Sequence, residues 1–207
     1  MHRPRPTLPP DTLIAAYCRG IFPMAGGRGD PDVYWFSPDP RGILPLDAFH
    51  TPRSLRRVLR QNRFQVRRDT AFEAVIRGCA APRPGDPDTW INPTIIDAFL
   101  ELHRLGFAHS VECWRDDRLM GGLYGVAIGG AFFGESKFRD TATDRSTDAS
   151  KVALAKTVEH LQQRGYALFD VQFDNPHLRR FGIVEVDRET YLAMLGKAIA
   201  MDVTWDD

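Results

Sequence analysis

The sequence predicts an α+β protein whose main sheet is mixed and mostly antiparallel, and three patterns support this. Residues 109–135 read as three successive strands, the last two joined by Gly129-Gly130, a typical two-residue hairpin turn. A helix at 149–163 and a further strand at 167–173 follow this meander. A last helix at 187–200 closes the chain. Strands that come first as a meander and then alternate with helices are typical of the α+β class.

The residues before the meander suggest two domains. We expect a small N-terminal α/β domain at 1–62 and a larger domain at 63–207. A short helix is expected at 13–17, and Gly20 would end it. Residues 54–60 have the pattern of a second short helix, and the stretch between the two helices reads as turns and extended pieces.

Local signals mark the elements that lead into the meander. A strand is expected at 64–67. Thr70 and Glu73 have the spacing of a capping box, which predicts the start of a helix. A loop rich in Pro, Gly and Asp covers 82–88, and Asn92 is expected to cap the next helix.

The composition is that of an ordinary globular protein. The chain has 207 residues, 43% of them hydrophobic and 26% charged, which excludes disordered and collagen-like proteins. Lys and Arg number 27 and Asp and Glu number 27, so the net charge does not suggest a generally basic nucleic-acid-binding protein. No run of about 18 apolar residues predicts a transmembrane helix, and no apolar signal core follows Met1, so we expect a cytoplasmic protein. The three cysteines and six histidines lack the spacing of a disulfide framework or of metal ligands, so no metal is expected.

One basic segment stands out against the zero net charge. Residues 53–68 contain no acidic residue and seven arginines. These are Arg53, Arg56, Arg57, Arg60, Arg63, Arg67 and Arg68. The first four share one face of the predicted helix, so we expect them to contact phosphates of a nucleic acid. The alternative is a helix face that is merely solvated.

The order of elements from the meander onward resembles the GNAT acyltransferase superfamily. Members that use coenzyme A hold its pyrophosphate on backbone amides of a glycine-rich turn that opens the helix after the hairpin. This chain has residues 139–148 at that place, with three aspartates and no glycine. A coenzyme A thioester is therefore not expected as acyl donor, and no cofactor is expected.

Several longer motifs occur in one order along the chain. They are Tyr34-Trp35-Phe36-Ser37-Pro38-Asp39-Pro40-Arg41-Gly42, Thr89-Trp90-Ile91, Gly106 to Trp114, Gly121 to Val126, Phe132 to Ser136, Ala149-Ser150-Lys151 and Asp170-Val171-Gln172. Together they resemble the leucyl/phenylalanyl-tRNA–protein transferase family from Leu13 to Leu195. The resemblance implies a cytoplasmic bacterial enzyme that moves Leu or Phe from aminoacyl-tRNA to proteins whose N-terminal residue is Arg or Lys, marking them for degradation. It also implies a small N-terminal domain, a GNAT-like catalytic domain and no coenzyme A.

The candidate catalytic residues lie on one predicted strand. Asp170 and Gln172 are two residues apart, so both side chains are expected on the same side. The resemblance makes them the catalytic pair, with Gln172 at the attacking amine or the ester carbonyl and Asp170 accepting or relaying the proton. The alternative is a strand end whose polar side chains bind neighbouring backbone. The resemblance assigns Glu135 to the α-amino group of the aminoacyl moiety, and the alternative there is an ion pair with an arginine.

The resemblance also implies an apolar pocket for the donor side chain. Its candidate residues are Leu123, Phe132, Leu161 and Phe169, each of which would otherwise be ordinary core. Lys137 stands where the family usually has Met, and an unpaired ammonium inside such a pocket would be costly. We expect Lys137 to point outward or to pair with Asp140 or Asp144; the other possibility is a changed donor amino acid. Thr157, at another apolar position, raises the same question.

Four further residues are assigned by motif position alone. Met24 replaces a Trp that some members carry, which leaves Trp90 as the aromatic surface for the terminal adenine unless Trp90 belongs to the core. Tyr17 and Asn175 are candidates for contacting the acceptor residue. Two rival functions remain open at this point. One is an acyl-CoA N-acetyltransferase, and the other is a module that binds aminoacyl-tRNA or N-degrons without turnover.

Overall fold

The computed structural model describes residues 7–82 and 88–206, so the predicted loop at 82–88 lies mostly outside the described residues. The helices are α1 (Pro10–Tyr17), α2 (Arg53–Arg60), α3 (Phe72–Ala80), α4 (Pro93–Arg104), α5 (Ala149–Arg164), α6 (Pro176–Arg179) and α7 (Arg188–Ile199). The strands are β1 (Phe22–Met24), β2 (Tyr34–Phe36), β3 (Arg41–Ile43), β4 (Gln65–Arg68), β5 (Ala108–Arg115), β6 (Arg118–Ile128), β7 (Ala131–Arg139), β8 (Leu168–Gln172) and β9 (Val184–Val186). A single 3₁₀ turn at Asp144–Ser146 is found within the described residues.

The main sheet has seven strands in the order β4-β5-β6-β7-β8-β3-β9. The β6–β7 hairpin closes where Ile128 pairs with Ala131, as the Gly129-Gly130 signal predicted. β7 and β8 are parallel because α5 carries the chain back between them, and the other neighbours are antiparallel. The predicted α+β class and the mixed, mostly antiparallel sheet are confirmed, with the meander, helix and strand in the order that the GNAT resemblance implies.

The first 62 residues contribute to the main sheet as well as to a unit of their own. β1 and β2 form a separate two-stranded sheet. β3 lies inside the main sheet, where Ile43 pairs with Asp170 of β8 and with Val184 of β9. The domain boundary after residue 62 stays a prediction, and the path of β3 shows that 1–62 and 63–207 share one sheet.

Helices cover both faces of this sheet. Neighbouring strand residues point to opposite faces, and Phe133 accordingly packs near Tyr17 while Phe132 packs against Phe169. The Phe133 face is covered by α1, α3, α4 and α7, and the Phe132 face by α2 and α5. Each such buried aromatic side chain contributes about 1.5–3 kcal/mol through removal from water. The sheet is therefore the middle of three layers.

Local side-chain and backbone signals mark one end of three of the helices, and the predicted cap Asn92 is confirmed. Asn92 caps α4 by accepting a hydrogen bond from the Ile95 amide at 2.9 Å. Asp187 caps α7 through the Thr190 amide at 2.8 Å. Gly165 ends α5 at φ 81°, a left-handed conformation in which glycine is favoured.

The predicted capping box at Thr70 and Glu73 is wrong. No side chain caps α3, and the Thr70 hydroxyl donates instead to Glu112 of β5. Glu112 is fully buried and also accepts from the Thr70 amide, the Ala71 amide at 2.8 Å, the Ser110 hydroxyl at 2.9 Å and the Trp114 indole at 2.9 Å. A distant carboxylate with five donors outcompetes the weaker local cap.

This carboxylate should be essential to stability. In Glu112→Gln, one acceptor oxygen becomes an NH₂ group that faces other donors, so buried hydrogen bonds are lost. We expect the free energy of unfolding to fall by about 3 kcal/mol. Urea denaturation followed by circular dichroism measures this. Glu185→Gln, exposed on the edge strand β9, is the matched control and should leave the midpoint unchanged; an equal loss in both variants would contradict the assignment.

Candidate active site

A buried ion pair lies at the centre of the candidate site. Asp170 on β8 is 0% exposed and Arg41 on β3 is 1% exposed. The Arg41 guanidinium donates to both carboxylate oxygens, at 3.0 Å from Nε to Oδ1 and 2.7 Å from Nη2 to Oδ2. Its Nη1 donates to the Gly20 carbonyl at 2.9 Å, and its plane lies between the rings of Phe22 and Tyr191 at 4.8 and 4.6 Å. The pair therefore ties β3, β8 and α7 together.

Asp170 also accepts hydrogen bonds from groups other than Arg41. Tyr191 donates its hydroxyl to Oδ2 at 2.6 Å, and the Gln172 amide nitrogen of the backbone donates to Oδ1 at 2.8 Å. Burial and then the neighbouring Asp170 charge raise the pKa of Tyr191, so the phenol keeps its proton and donates it. Asp170 is thus held by four donor groups.

Gln172 ends β8 with an unusual backbone. Its φ is 62°, in the left-handed region that non-glycine residues rarely adopt. The side-chain amide fits its surroundings when its nitrogen donates to the carbonyls of Gly134 at 2.9 Å and Val171 at 3.0 Å. The other end of the amide lies 3.5 Å from Oε1 of Glu135. The turn at Gln172 orients this amide toward a cavity that Asp170 does not line.

Glu135 owes its position to a bulge in β7. Tyr124 pairs with Ser136 and Gly125 pairs with Gly134, so Glu135 is an extra residue with no partner opposite. Its Oε1 accepts a hydrogen bond from Tyr17 at 2.8 Å. Burial raises the pKa of Glu135 to about 8, and the Tyr17 hydrogen bond lowers it only in part. The predicted alternative was an ion pair between Glu135 and an arginine. None of the ion pairs found among the described residues involves Glu135.

A cavity of about 190 Å³ opens beside these two side chains. It is lined by Leu123, Gly134, Glu135, Ser136, Lys137, Leu154, Phe169, Val171, Gln172, Asn175 and Leu178. Five of the lining side chains are apolar, and the carboxylate and the amide lie together at one side. The cavity can therefore receive a small apolar group beside one or two polar contacts.

Two of the four predicted pocket residues line this cavity, and two lie behind it. Leu123 and Phe169 are lining residues, whereas Phe132 and Leu161 are fully buried in the core. Thr157 is buried as well and donates its hydroxyl to Ala153 in its own helix at 2.9 Å. Its polar group is thereby satisfied outside the cavity.

A second cavity of about 620 Å³ adjoins the first. Lys137 and Asn175 line both. Lys137 is half-buried, with its backbone paired to Leu123, and its outward or paired arrangement stays a prediction. The larger cavity is closed on one side by residues 138–141, at the start of the glycine-free segment, where Asp140 pairs with Arg118 at 3.2 Å.

The structure gives the two candidates for acceptor contact different surroundings. Tyr17 is fully buried, and its hydroxyl is occupied by Glu135, so it positions that carboxylate and offers no open surface. Asn175 caps α6 through the Leu178 amide at 2.9 Å and lines both cavities. Of the two side chains, only that of Asn175 lies at the surface of a cavity.

Met24 and Trp90 are brought close to each other. Both are half-buried against the core that contains Tyr17, and the Ala25 amide donates to the Trp90 carbonyl at 3.1 Å. Neither lines the two cavities described above. Their contact with an adenine stays a prediction.

The arginines at 53–68 lie on and beside α2. All but Arg67 are exposed, and Arg67 packs its guanidinium over the Trp114 ring at 4.7 Å. Two buried residues, Leu55 and Val58, fix the opposite face of α2 against the core. α2 therefore has one apolar, buried face and an exposed side that carries Arg53, Arg56, Arg57 and Arg60.

Sequence reasoning missed the two residues that hold Asp170. Arg41 occurs in a quoted motif and Tyr191 in the last helix, but neither position carries a local signal of a buried polar contact. Within the described residues, no group of three or more His, Cys, Asp or Glu is arranged to hold a metal ion. Among the same residues, no helix is both long and apolar enough to cross a bilayer.

The ion pair predicts the behaviour of substitutions at Asp170. Asp170→Ala leaves the Arg41 cation buried without its partner, which should lower the free energy of unfolding by about 3–5 kcal/mol. The apolar double variant Arg41→Met/Asp170→Leu should recover at least half of that loss, because no unpaired charge remains. Urea titrations of the three proteins measure this; a fully stable Asp170→Ala would show that the pair is not structural.

Two family models and several curated relatives match this chain. The family model described as leucyl/phenylalanyl-tRNA protein transferase matches residues 43–196, and the model of its N-terminal domain matches residues 7–39. A leucyl/phenylalanyl-tRNA–protein transferase of Hyphomonas neptunium is 52% identical over 92% of this chain and 72% of its own length. The same enzyme of Paramagnetospirillum magneticum is 52% identical over 95% of this chain and 91% of its own length.

One solved structure is more distant. The structure of L-PGS from Bacillus licheniformis aligns with a TM-score of 0.46 and 10% identity, over 78% of this chain and 65% of that chain. The two family models and the relatives at 52% identity carry the assignment. The chain belongs to the leucyl/phenylalanyl-tRNA–protein transferase family.

Proposed function

We propose that this protein transfers Leu or Phe from aminoacyl-tRNA to the N-terminal Arg or Lys of acceptor proteins in the cytoplasm, which marks them for degradation. The observation that carries the proposal is the cavity of about 190 Å³ that combines five apolar side chains with Glu135 and Gln172 at one side. The names of the 52% identical relatives support the same reaction. The donor is an ester, so no cofactor is required to activate it.

The donor side chain enters the smaller cavity. Leu123, Leu154 and Phe169 form much of its wall, and apolar walls favour a leucine or phenylalanine side chain over a polar one. The polar side of the cavity then receives the amino and ester groups. Glu135 and Gln172 lie 3.5 Å apart there, so one amine can contact both side chains.

The acceptor peptide enters through the larger cavity. This cavity shares Lys137 and Asn175 with the smaller one, so an amine that reaches the junction is next to the donor ester. Asp140, paired with Arg118 at 3.2 Å, is the carboxylate among the residues that line it, and a basic N-terminal residue would have to compete with Arg118 for that carboxylate. Holding the two reactants side by side in this way accounts for a large part of the rate of such a transfer.

The tRNA body binds the arginines on and beside α2. Six of the seven are exposed, and within 53–68 no carboxylate neutralises them. Arginine forms two parallel hydrogen bonds with phosphate, and such contacts are independent of base sequence. This suits an enzyme that must accept more than one tRNA.

The first test is transfer itself. Leu-tRNA or Phe-tRNA, labelled on the amino acid, is incubated with the protein and a peptide that begins with Arg. We expect labelled peptide with either donor, and none when acetyl-coenzyme A is supplied instead. Leu154→Phe narrows the cavity and should reduce transfer of Phe more than transfer of Leu. Absence of product with both donors would contradict the proposal, and binding without turnover would favour the rival binding module.

The second test concerns the arginine surface. Arg56→Ala and Arg60→Ala should each weaken binding of aminoacyl-tRNA and reduce the slope of log K against log salt concentration by about 1. Binding is measured by filter retention at several salt concentrations. Arg104→Ala, exposed on α4 in the opposite layer, is the control and should keep the slope of the wild type. Equal slopes in all four proteins would remove the surface from the tRNA interface.

A further inference from the structure

A third cavity, of about 550 Å³, opens beside α2. It is lined by Phe49, His50, Thr51, Arg56, Leu59 and Arg60. None of these six residues lines either of the two cavities of the candidate active site. Two of the six are apolar, two are permanently cationic, two are polar, and none is acidic. A cavity of this composition suits a ligand that combines an apolar ring with a negative charge.

The helix α2 supplies the cationic part of the cavity. Arg56, Leu59 and Arg60 are spaced by three and four residues, so their side chains share one face of the helix. Leu55 and Val58 are buried and fix the orientation of α2 against the core. Both arginines are exposed, and in the described part of the chain neither forms an ion pair with a carboxylate. Their guanidinium groups are therefore open to an anion that comes from outside.

The segment before α2 supplies the aromatic part. The Phe49 ring stacks on the Phe181 ring, with 5.9 Å between centroids and 4° between planes. The His50 amide donates to the Phe181 carbonyl at 2.9 Å. Gly182 follows with φ 93°, and a Cβ there would lie 3.2 Å from the carbonyl oxygen of Ala48, so glycine permits this close approach of the two segments. Phe49 is thus held in place without a ligand.

This combination of side chains matches an unpaired nucleotide. A base stacks on aromatic and other apolar side chains, and a phosphate accepts hydrogen bonds from arginine. Phe49 and Leu59 are half-buried and offer apolar surface to a base, while Arg56 and Arg60 offer donors to its phosphate. A double helix would present phosphates alone, because its paired and stacked bases cannot enter a cavity.

The third cavity and the smaller cavity are connected through one turn of chain. Leu178 lines the smaller cavity, and its carbonyl accepts a hydrogen bond from the Phe181 amide at 2.8 Å. Phe181 in turn stacks on Phe49, which lines the third cavity. A charged tRNA ends in unpaired nucleotides that carry the ester. When the ester lies in the smaller cavity, the nucleotides that precede it are the ones that can reach the third cavity.

We propose that the third cavity holds one unpaired nucleotide from the 3′ end of the donor tRNA, with its base on Phe49 and Leu59 and its phosphate between Arg56 and Arg60. This inference rests on the function proposed above and deepens it. Any RNA helix offers phosphates to the arginines, whereas a base site gives the enzyme a preference for RNA with a single-stranded end.

The closing experiment measures the dissociation constant of an RNA hairpin that carries Phe as an ester on a single-stranded 3′ end. In a series of such hairpins, one unpaired nucleotide at a time keeps its phosphate but lacks its base. Phe49→Leu keeps an apolar side chain against Phe181 and removes the ring. It should weaken binding of the intact hairpin by roughly 5- to 150-fold, the range of a lost stacking contact.

The two losses should be coupled at one position of the RNA. There, removal of the base should weaken binding to the wild type by a similar factor and should weaken binding to Phe49→Leu no further. At the other positions the two losses should add. A merely structural role of Phe49 would not single out one position. Transfer from phenylalanyl-adenosine, which has no further nucleotide, should be the same for Phe49→Leu and the wild type.

Phe107→Leu is the matched control. Phe107 is a half-buried aromatic residue that packs against the core on the Phe133 face, in the layer opposite α2, so this variant should bind every hairpin as the wild type does. Leu59→Glu is a second variant, which places a carboxylate between the two arginines and leaves the buried residues of α2 intact. It should also weaken binding of the intact hairpin. Thermal melts establish that all variants are folded.

Several results would overturn the inference. They are losses that add at every position, wild-type binding of the intact hairpin by Phe49→Leu, and an equal loss of its transfer from phenylalanyl-adenosine. Adenosine monophosphate that binds the wild type and not Phe49→Leu, with RNA binding unchanged, would assign the cavity to a free nucleotide instead. All of these results are compatible with transfer by the wild type, whereas absence of transfer from charged tRNA would contradict the proposed function itself.

Discussion

The buried pair of Arg41 and Asp170 is the interaction on which the site depends. Two charges removed from water are stable only when they satisfy each other and their remaining hydrogen-bonding groups. Here Tyr191 and the backbone of Gln172 donate the further hydrogen bonds that the carboxylate needs. The carbonyl of Gly20 accepts a further hydrogen bond from the guanidinium. The pair thus links the early strand β3 to the late strand β8 and the last helix. It holds the end of β8, where Gln172 turns toward the cavity.

Two local irregularities then create the reaction site. The bulge at Glu135 interrupts β7, and the left-handed backbone of Gln172 ends β8. Regular strands would have continued their pairing past these points. Because both strands stop being regular at neighbouring positions, a carboxylate and an amide face the smaller cavity, where the parallel strands β7 and β8 end. Irregularities of this kind are common beside active sites because they orient individual side chains.

The sequence predicted most elements because their signals are local. Asn92, predicted as a cap, acts within one helical turn, and the structure confirms it. The predicted cap at Thr70 was wrong because the Thr70 hydroxyl donates its hydrogen bond to the charged carboxylate of Glu112, 42 residues away. Only the folded structure shows that Leu123 and Phe169 line the cavity while Phe132 and Leu161 belong to the core. All four are apolar residues near the same strands and helix, so the sequence does not distinguish them.

By itself, the sequence determined the fold class, the arginine surface and the positions of Asp170, Gln172 and Glu135, because these follow from spacing, charge and motif order. The tertiary structure decided which carboxylate is engaged and which faces the cavity. Arg41 meets Asp170 across 129 residues, and Tyr17 meets Glu135 across 118. The proton affinity of a carboxylate depends on its distance from water and from other charges, and only the folded chain sets those distances.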